Sequence, residues 1–301
     1  MDTRETLPVG TMLKIHEGLF DYIRFMEDAG MECCQLCRIG EEYLNPSTGP
    51  ENSRRLADAL ERAGIRPVSL FLGYRDRSAG NGMVSPELRA ERFAFAARQM
   101  VWANRHGIEL ISCHTGTFPA PGTAEYDRFA TDLRELCRLA GDLGESYLFE
   151  TGPENAETLA RTIDDIGLEN VGINFDPANL LLYNRTDPAV FAEKLFSRIR
   201  LIHCKDGRRP EAGEKLGRQT VLGEGDVHFT ELADRLIAGG FRGPLIIERE
   251  IPLGEEHYSD QRKAVALLKT IRGKFERPPD GPRGPETENQ RKKEIQHACI
   301  S

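Results

Sequence analysis

Short apolar runs alternate with longer segments of helical period along almost the whole chain. The runs at 9–15, 32–37, 67–72, 109–113, 146–149, 171–175, 200–202 and 245–247 are too short for helices, and several are rich in Val and Ile, so they predict strands. Between them, the stretches 50–64, 86–107, 123–144, 155–167, 187–199, 229–240 and 260–275 place Leu, Ala, Ile and Phe three and four residues apart. Many of these stretches end on Gly, the usual helix stop. The alternation yields eight strand–helix units and a parallel sheet, because each parallel neighbour needs a helical crossover. That stoichiometry fits an α/β fold of the single-domain (β/α)8 TIM barrel type, usually about 250 residues long. A doubly wound open sheet is the rival, but it usually carries a Gly-rich turn after its first strand. Here the first strand runs into KIHEGLF, which holds one glycine. The barrel is expected over 1–276, followed at 277–301 by a flexible tail rich in Pro and charge.

Composition narrows the class. Apolar residues make up 39 % of the 301, enough for one sizeable core. The net charge is −8, and no long basic run stands out through residue 276, which disfavours a nucleic-acid partner. No apolar run approaches the roughly 18 residues of a membrane span. The opening MDTRETLPVG lacks a basic-then-apolar leader. Seven cysteines, an odd number spread thinly, argue for free thiols in a reducing compartment, and so for a cytoplasmic protein. Cys33, Cys34 and Cys37 in ECCQLC read as small packing residues on a strand, without a second C-x-x-C pair to complete a zinc site.

The ionisable residues carry the chemistry through their position. Glu150 closes SYLFE, Asp176 closes VGINFD, His203 closes RLIH and Glu248 closes PLIIE. Each is the first strong ligand-type side chain after an apolar strand, on the four strands from fifth to eighth. In a barrel those strand ends form one mouth, where active sites are built. Three carboxylates converging there repel one another unless protonated or held by a cation. A divalent metal resolves this, and an oxygen-rich set with one imidazole suits Mn²⁺, Mg²⁺ or Co²⁺ better than a thiolate-type Zn²⁺ site, with Mn²⁺ preferred and Zn²⁺ still open.

The segments ISCHTG, YLFETGPE, VGINFDPANLLLY, RLIHCKDG, VLGEGDVHF and PLIIERE, in that order, resemble the sugar-phosphate isomerase/epimerase branch of the xylose-isomerase-like TIM barrels, which includes ketose 3-epimerases and inosose-processing enzymes. The resemblance implies that Glu150, Asp176, His203 and Glu248 bind one divalent ion and that Glu150 and Glu248 double as an acid/base pair. It implies a small-molecule carbohydrate substrate, a ketose or sugar phosphate, from which a proton beside the carbonyl is abstracted through a metal-bound enediolate. Carboxylates on opposite faces of the enediolate would give epimerisation, and one face alone would give aldose–ketose isomerisation. Dehydration of an inosose or 3-keto-sugar begins with the same enolisation and is the alternative. Phosphodiester cleavage of the apurinic-site endonuclease type and a non-catalytic sugar-binding barrel are the remaining rivals. Barrels of this kind often pair through their helical faces, so a homo-oligomer is possible.

Further positions follow by resemblance or by placement. His114, ending ELISCH, either hydrogen-bonds a substrate oxygen or is structural. Arg209, six residues after His203, resembles the substrate-contacting arginine of ketose epimerases, with Arg208 beside it as a substitute. Glu154 in ETGPE is placed to reach a sugar hydroxyl, and His16 to point into the mouth. Lys205 and Asp206 in HCKDG are expected to orient the ligands from behind. Many relatives place a histidine three residues after the sixth-strand aspartate, where this chain has Asn179. Asn179 can hydrogen-bond a hydroxyl but cannot shuttle a proton near neutral pH. SLFLGYRD likewise holds no histidine, which counts against the three-metal nuclease. GEGDVHF reads as a loop entering a helix and not as a nucleotide cradle, because no third glycine follows.

Overall fold

The computed structural model describes residues 7–73, 82–183 and 186–276; the tail expected at 277–301 lies outside the described residues. In chain order the strands are β1 (Val9–Lys14), β2 (Cys33–Cys37), β3 (Arg66–Phe71), β4 (Leu110–Cys113), β5 (Ser146–Glu150), β6 (Val171–Phe175), β7 (Ile199–Cys204), a short hairpin of β8 (Asp206–Arg208) and β9 (Arg218–Thr220), and β10 (Leu245–Ile247). All but the hairpin pair in parallel and close into one barrel in the order β1-β10-β7-β6-β5-β4-β3-β2. Closure excludes the open sheet. The helices are α1 (Leu19–Asp28), α2 (Glu41–Leu44), α3 (Gly49–Arg62), α4 (Arg89–Arg105), α5 (Ala124–Asp142), α6 (Ala156–Ile166), α7 (Pro177–Leu182), α8 (Pro188–Leu195), α9 (Phe229–Ala238) and α10 (Glu255–Gly273).

Local chemistry sets the helix ends. The Asn155 side chain caps α6 by accepting from the Thr158 N–H, and Gly167 ends it in the left-handed region at φ 67°. Asp187 caps α8 in the same way, ahead of a proline at the first helical position. The last helix begins at Glu255, five residues before the start expected from periodicity, because an acidic, partly exposed first turn hides its helical face.

Strand alternation splits the apolar residues into two sets. The larger set packs the outer barrel face against the helices. The smaller set, Met12, Cys33, Cys37, Leu148, Leu201 and Ile246, lies on the other face and fills the barrel interior. Two residues beyond Leu148, Leu201 and Ile246 stand Glu150, His203 and Glu248. The period of two therefore aims those side chains inward, directly above an apolar floor. The three cysteines of β2 are buried free thiols, two of them in this interior layer, as their packing role required.

One buried acid lies far from this mouth. Glu145, just before β5, is 2 % exposed, and burial pushes its carboxyl up to about 8 against the opposing pull of the Asn104 backbone amide. The folded state thus keeps a proton that the unfolded chain releases above the ordinary Glu range, so stability falls as pH rises from about 4.5 toward 8. Glu145→Gln lacks this slope. Relative to the wild type it gains about 1–3 kcal/mol between pH 5 and pH 8, measured by urea denaturation at the two values.

Candidate metal centre

Four neighbouring strands supply the centre. Glu150 is the last residue of β5, Asp176 follows β6, His203 is the penultimate residue of β7, and Glu248 follows β10. Ile246 stands opposite His203 in the β10–β7 ladder, and Glu150 opposite Asn174 in the β5–β6 ladder, so the four reach nearly the same height. One ligand atom from each lies within 4.8 Å of all the others. His203 Nδ1 is 3.2 Å from Glu150 Oε1, 3.2 Å from Glu248 Oε2 and 3.9 Å from Asp176 Oδ2.

The geometry fits a shared cation. His203 Nδ1 and Asp176 Oδ2 are buried without a hydrogen-bond partner, so Nδ1 points between the two glutamate oxygens and not along a hydrogen bond to either. On its far side the ring donates from Nε2 to Gln35 Oε1 (2.7 Å), with the Asn174 amide 2.9 Å from the same nitrogen. That fixes the ring plane and presents Nδ1 to the carboxylates. Gln35 and Asn174 are in turn anchored on Ser69 and Ser112. Asp176 does double duty: Oδ1 caps α7 through the Asn179 N–H, while Oδ2 faces the centre. Thr151 fixes the aspartate backbone, accepting from its N–H and donating to its carbonyl.

Charge balance is local. Lys205 Nζ, 3 % exposed, lies 3.2 Å from Glu248, 2.7 Å from Glu250 and 3.4 Å from Asp176, and it donates to Asn179 Oδ1. Burial would lower its pKa, but Asp176, Glu248 and Glu250 hold it well above the usual range. Burial would also lower His203, yet Glu248 and Glu150 push it up to about 10. Burial raises Asp176 to about 7, opposed by Lys205 and reinforced by Glu248. Glu248 resists burial and falls well below its usual range because Lys205 and His203 flank it.

The other expected positions divide. Glu150, Glu248, His114, Asn179 and Lys205 line a mouth cavity of about 290 Å³, together with Lys14, Tyr183 and Glu250. The Asn179 amide is engaged on both sides, donating to the Thr151 carbonyl and accepting from Lys205. Glu154 is buried, accepts from the Gly152 N–H, and is pushed by burial up to about 7. Its carboxylate and the His114 ring both crowd Gly152, within 3.4 and 4.0 Å of where a Cβ would stand. Arg209 and Arg208 are not among the residues lining this cavity. The chain leaves the barrel at Asp206, and the β8–β9 hairpin carries both arginines outward; the Arg209 backbone meets Asp226.

Asp206, expected behind the ligands, instead accepts from the backbone N–H groups of Gly207, Gly223 and Val227, so it anchors the GEGDVHF loop. A Cβ on Gly225 would stand 2.1 Å from its Oδ1, which explains a glycine in that loop without any nucleotide. Gln35, Asn174 and Glu250 went unmarked by the strand-end pattern. The signal available was an amide inside an otherwise apolar strand, in ECCQLC and VGINF.

Because His203, and in part Asp176, carry protons before an ion binds, loading with Mn²⁺ at pH 7 releases about one to two protons per ion, and affinity rises with pH. Calorimetry in buffers of different ionisation enthalpy reads this directly. Asp176→Asn keeps an oxygen to cap α7 but loses the ligand charge. Changes to groups that only orient metal ligands cost roughly 10–100-fold in affinity, and this substitution is expected to exceed that while the far-ultraviolet circular dichroism is unchanged.

The family model described as xylose isomerase-like TIM barrel matches residues 23–271. An inosose dehydratase from Geobacillus thermodenitrificans (strain NG80-2) is 23 % identical over 236 residues, 71 % of this chain and 77 % of that protein. Other curated inosose dehydratases match over about half their length, 47 %. Among solved structures, a xylose isomerase domain protein from Planctomyces limnophilus has a TM-score of 0.80 at 29 % identity, covering 89 % of this chain and 98 % of that one. A D-tagatose 3-epimerase-like protein has a TM-score of 0.69 at 21 % identity, covering 90 % and 100 %, which shows a common fold. A closed barrel, a four-residue ligand cluster at its mouth and a family match across most of its length place this chain in the xylose isomerase-like TIM barrel family.

Proposed function

We propose that this chain is a divalent-metal-dependent enzyme that enolises a ketose or sugar phosphate, acting as an isomerase or epimerase. The observation that carries the reading is the placement of Glu150 and Glu248, each 3.2 Å from His203 Nδ1 and both lining the same cavity. At about 290 Å³ that cavity is near the small end of ligand sites and suits a monosaccharide-sized molecule. An ion held by Glu150, Asp176, His203 and Glu248 would supply Lewis-acid polarisation of a carbonyl and its neighbouring hydroxyl, with Mn²⁺ the best match to the donor set. Glu150 and Glu248 each turn one oxygen toward His203, leaving the second to take or return a proton. His114 and Asn179 hold substrate hydroxyls from the cavity wall, and Glu154 supports the β5 end of that wall.

Lys205 favours a second reading, dehydration of an inosose or 3-keto-sugar, the activity named for the curated relatives. Elimination of hydroxide beside an enolate needs an acid. The Lys205 ammonium lies in the cavity wall within hydrogen-bond distance of Glu248 and Glu250. Both readings take a small carbohydrate. Among the described residues the one ligand cluster found holds a single ion's set, without the extra histidines of a three-metal nuclease. Also among the described residues, no helix is long and apolar enough to cross a membrane. Operation in the cytoplasm, as a monomer or a symmetric oligomer, completes the proposal.

Ketoses, ketose phosphates and inososes incubated with the Mn²⁺-loaded protein in D₂O and followed by NMR test it. Deuterium entering beside the carbonyl is expected for the true substrate, and a product lighter by one water assigns the dehydratase. Glu150→Gln and Glu248→Gln are each expected to lower exchange by roughly 100-fold or more. Full exchange in both variants would overturn the acid/base assignment.

A further inference from the structure

A second cavity of about 180 Å³ opens beside the first and shares Met12, Lys14 and Glu248 with it. Its remaining lining comes from the other side of the mouth: His16 beyond β1, Arg38 beyond β2, Tyr22 on α1, Arg249 beyond β10, and His257 on α10. With Met12, Ile247, Ile251 and Leu253 as apolar walls, the lining carries three cations, Lys14, Arg38 and Arg249, against one carboxylate, Glu248. Among the described residues neither the Lys14 nor the Arg38 side chain has a carboxylate partner. Arg249 is paired through Nε with Asp260 at 3.0 Å, and Glu248 is taken by His203 and Lys205. Arg38 also holds a left-handed backbone at φ 69°, a conformation that a non-glycine residue keeps only where its surroundings impose it.

The neutral donors converge on the same space. His16 Nδ1 accepts from the Gly18 N–H at 3.0 Å, which leaves its proton on Nε2. His257 is 6 % exposed, and the Tyr22 hydroxyl, kept protonated by burial, donates to its Nε2 at 2.9 Å. This assigns the His257 ring proton to Nδ1, which faces the Ile251 carbonyl without the geometry of a hydrogen bond. Burial lowers both histidines, and the neighbouring cations lower them further: Arg38 acts on His16, and Lys14 and Arg249 act on His257. Gln261 Oε1, also without a partner, would accept from a protonated phosphate oxygen or a sugar hydroxyl.

We propose that this cavity receives a phosphate group carried by the substrate, held by Lys14 and Arg38 with N–H donation from His16. The proposal deepens the enolisation reading and rests on it for the pocket's role: Glu248, shared by both cavities, sets the reacting carbons on one side and the anion on the other. A phosphate monoester fits better than a carboxylate because two cations and a separate ring donor outnumber the two oxygens of a carboxylate.

The test needs neither substrate nor metal, so its failure is separable from failure of the enolisation reading. Inorganic phosphate is titrated calorimetrically into the full chain without added divalent ion, with acetate as the comparison. One saturable phosphate site is expected, with weaker acetate binding. Arg38→Gly, which suits the left-handed backbone, and Lys14→Met should each weaken phosphate by roughly 10- to 100-fold, the loss of one charge-assisted hydrogen bond. Arg105→Met, on an exposed turn of α4, should leave it unchanged. Absence of phosphate binding, equal binding by Arg38→Gly, or acetate binding as tight as phosphate would each overturn the proposal, and Mn²⁺ binding by the same samples would still stand or fall by itself.

Discussion

Three carboxylates, an imidazole and an ammonium share one nearly dry barrel mouth, and keeping their charges in balance is the constraint on which the rest of this molecule depends. Asp176, His203 and Glu248 are buried, and the interior side chains Leu148, Leu201 and Ile246 lie directly beneath, so water cannot offset the repulsion from below. Lys205 and a protonated His203 supply the compensating charge within the cluster itself. Buried ion pairs seldom stabilise a fold beyond what apolar residues of the same volume would. Their retention here makes sense as a site held ready for a cation, with the stability supplied by the continuous core between barrel and helices.

Holding that arrangement takes a layer of polar groups of which only Asn179 also lines the cavity. Gln35 and Asn174 grip the far side of His203 and are pinned by Ser69 and Ser112, so four strands contribute to the orientation of one ring. Thr151 stitches the end of β5 to the backbone of Asp176, and the Asn179 amide links Thr151 to Lys205. Two of the ties skip over intervening strands, from β2 to β7 and from β4 to β6, so barrel closure and site geometry are one mechanical problem.

This explains which parts could be read from the chain. The cluster of Glu150, Asp176, His203 and Glu248 was legible because each follows an apolar strand core, and the eight-unit alternation made those strands neighbours around a ring. The apolar strands themselves were legible for the same reason, since burial on both faces leaves unbroken Val and Ile runs. Lys205 was visible beside His203, but its pairing with Glu250 depends on the β7–β10 contact. Gln35 and Asn174 looked like small lapses in apolar strands until their partners, 168 and 29 residues away along the chain, came into place. Arg209 came from resemblance alone, and its place after the hairpin that leaves the barrel at Asp206, outside the lining of the mouth cavity, is set by contacts that spacing does not show. The anchor role of Asp206 depends on backbone N–H groups 17 and 21 residues further on, which no spacing rule exposes.

The same closure gives the mouth an electrical asymmetry. Going around the ring from β5 to β10, three of the four inward strand-end side chains are carboxylates, with His203 between them; past β10, at the ends of β1 and β2, stand Lys14 and Arg38. Glu248 sits at the boundary and lines both cavities. A neutral sugar would bind in several orientations in such a mouth, because hydroxyls meet donors and acceptors on either side. A substrate with one anionic end has a favoured direction, because Lys14 and Arg38 have no carboxylate partner among the described residues, whereas Lys205 is already engaged by Asp176, Glu248 and Glu250. Orientation would then come from attraction by cations that have no partner within the fold, and a site that must bring one particular C–H beside a glutamate gains most from disfavouring the reversed pose.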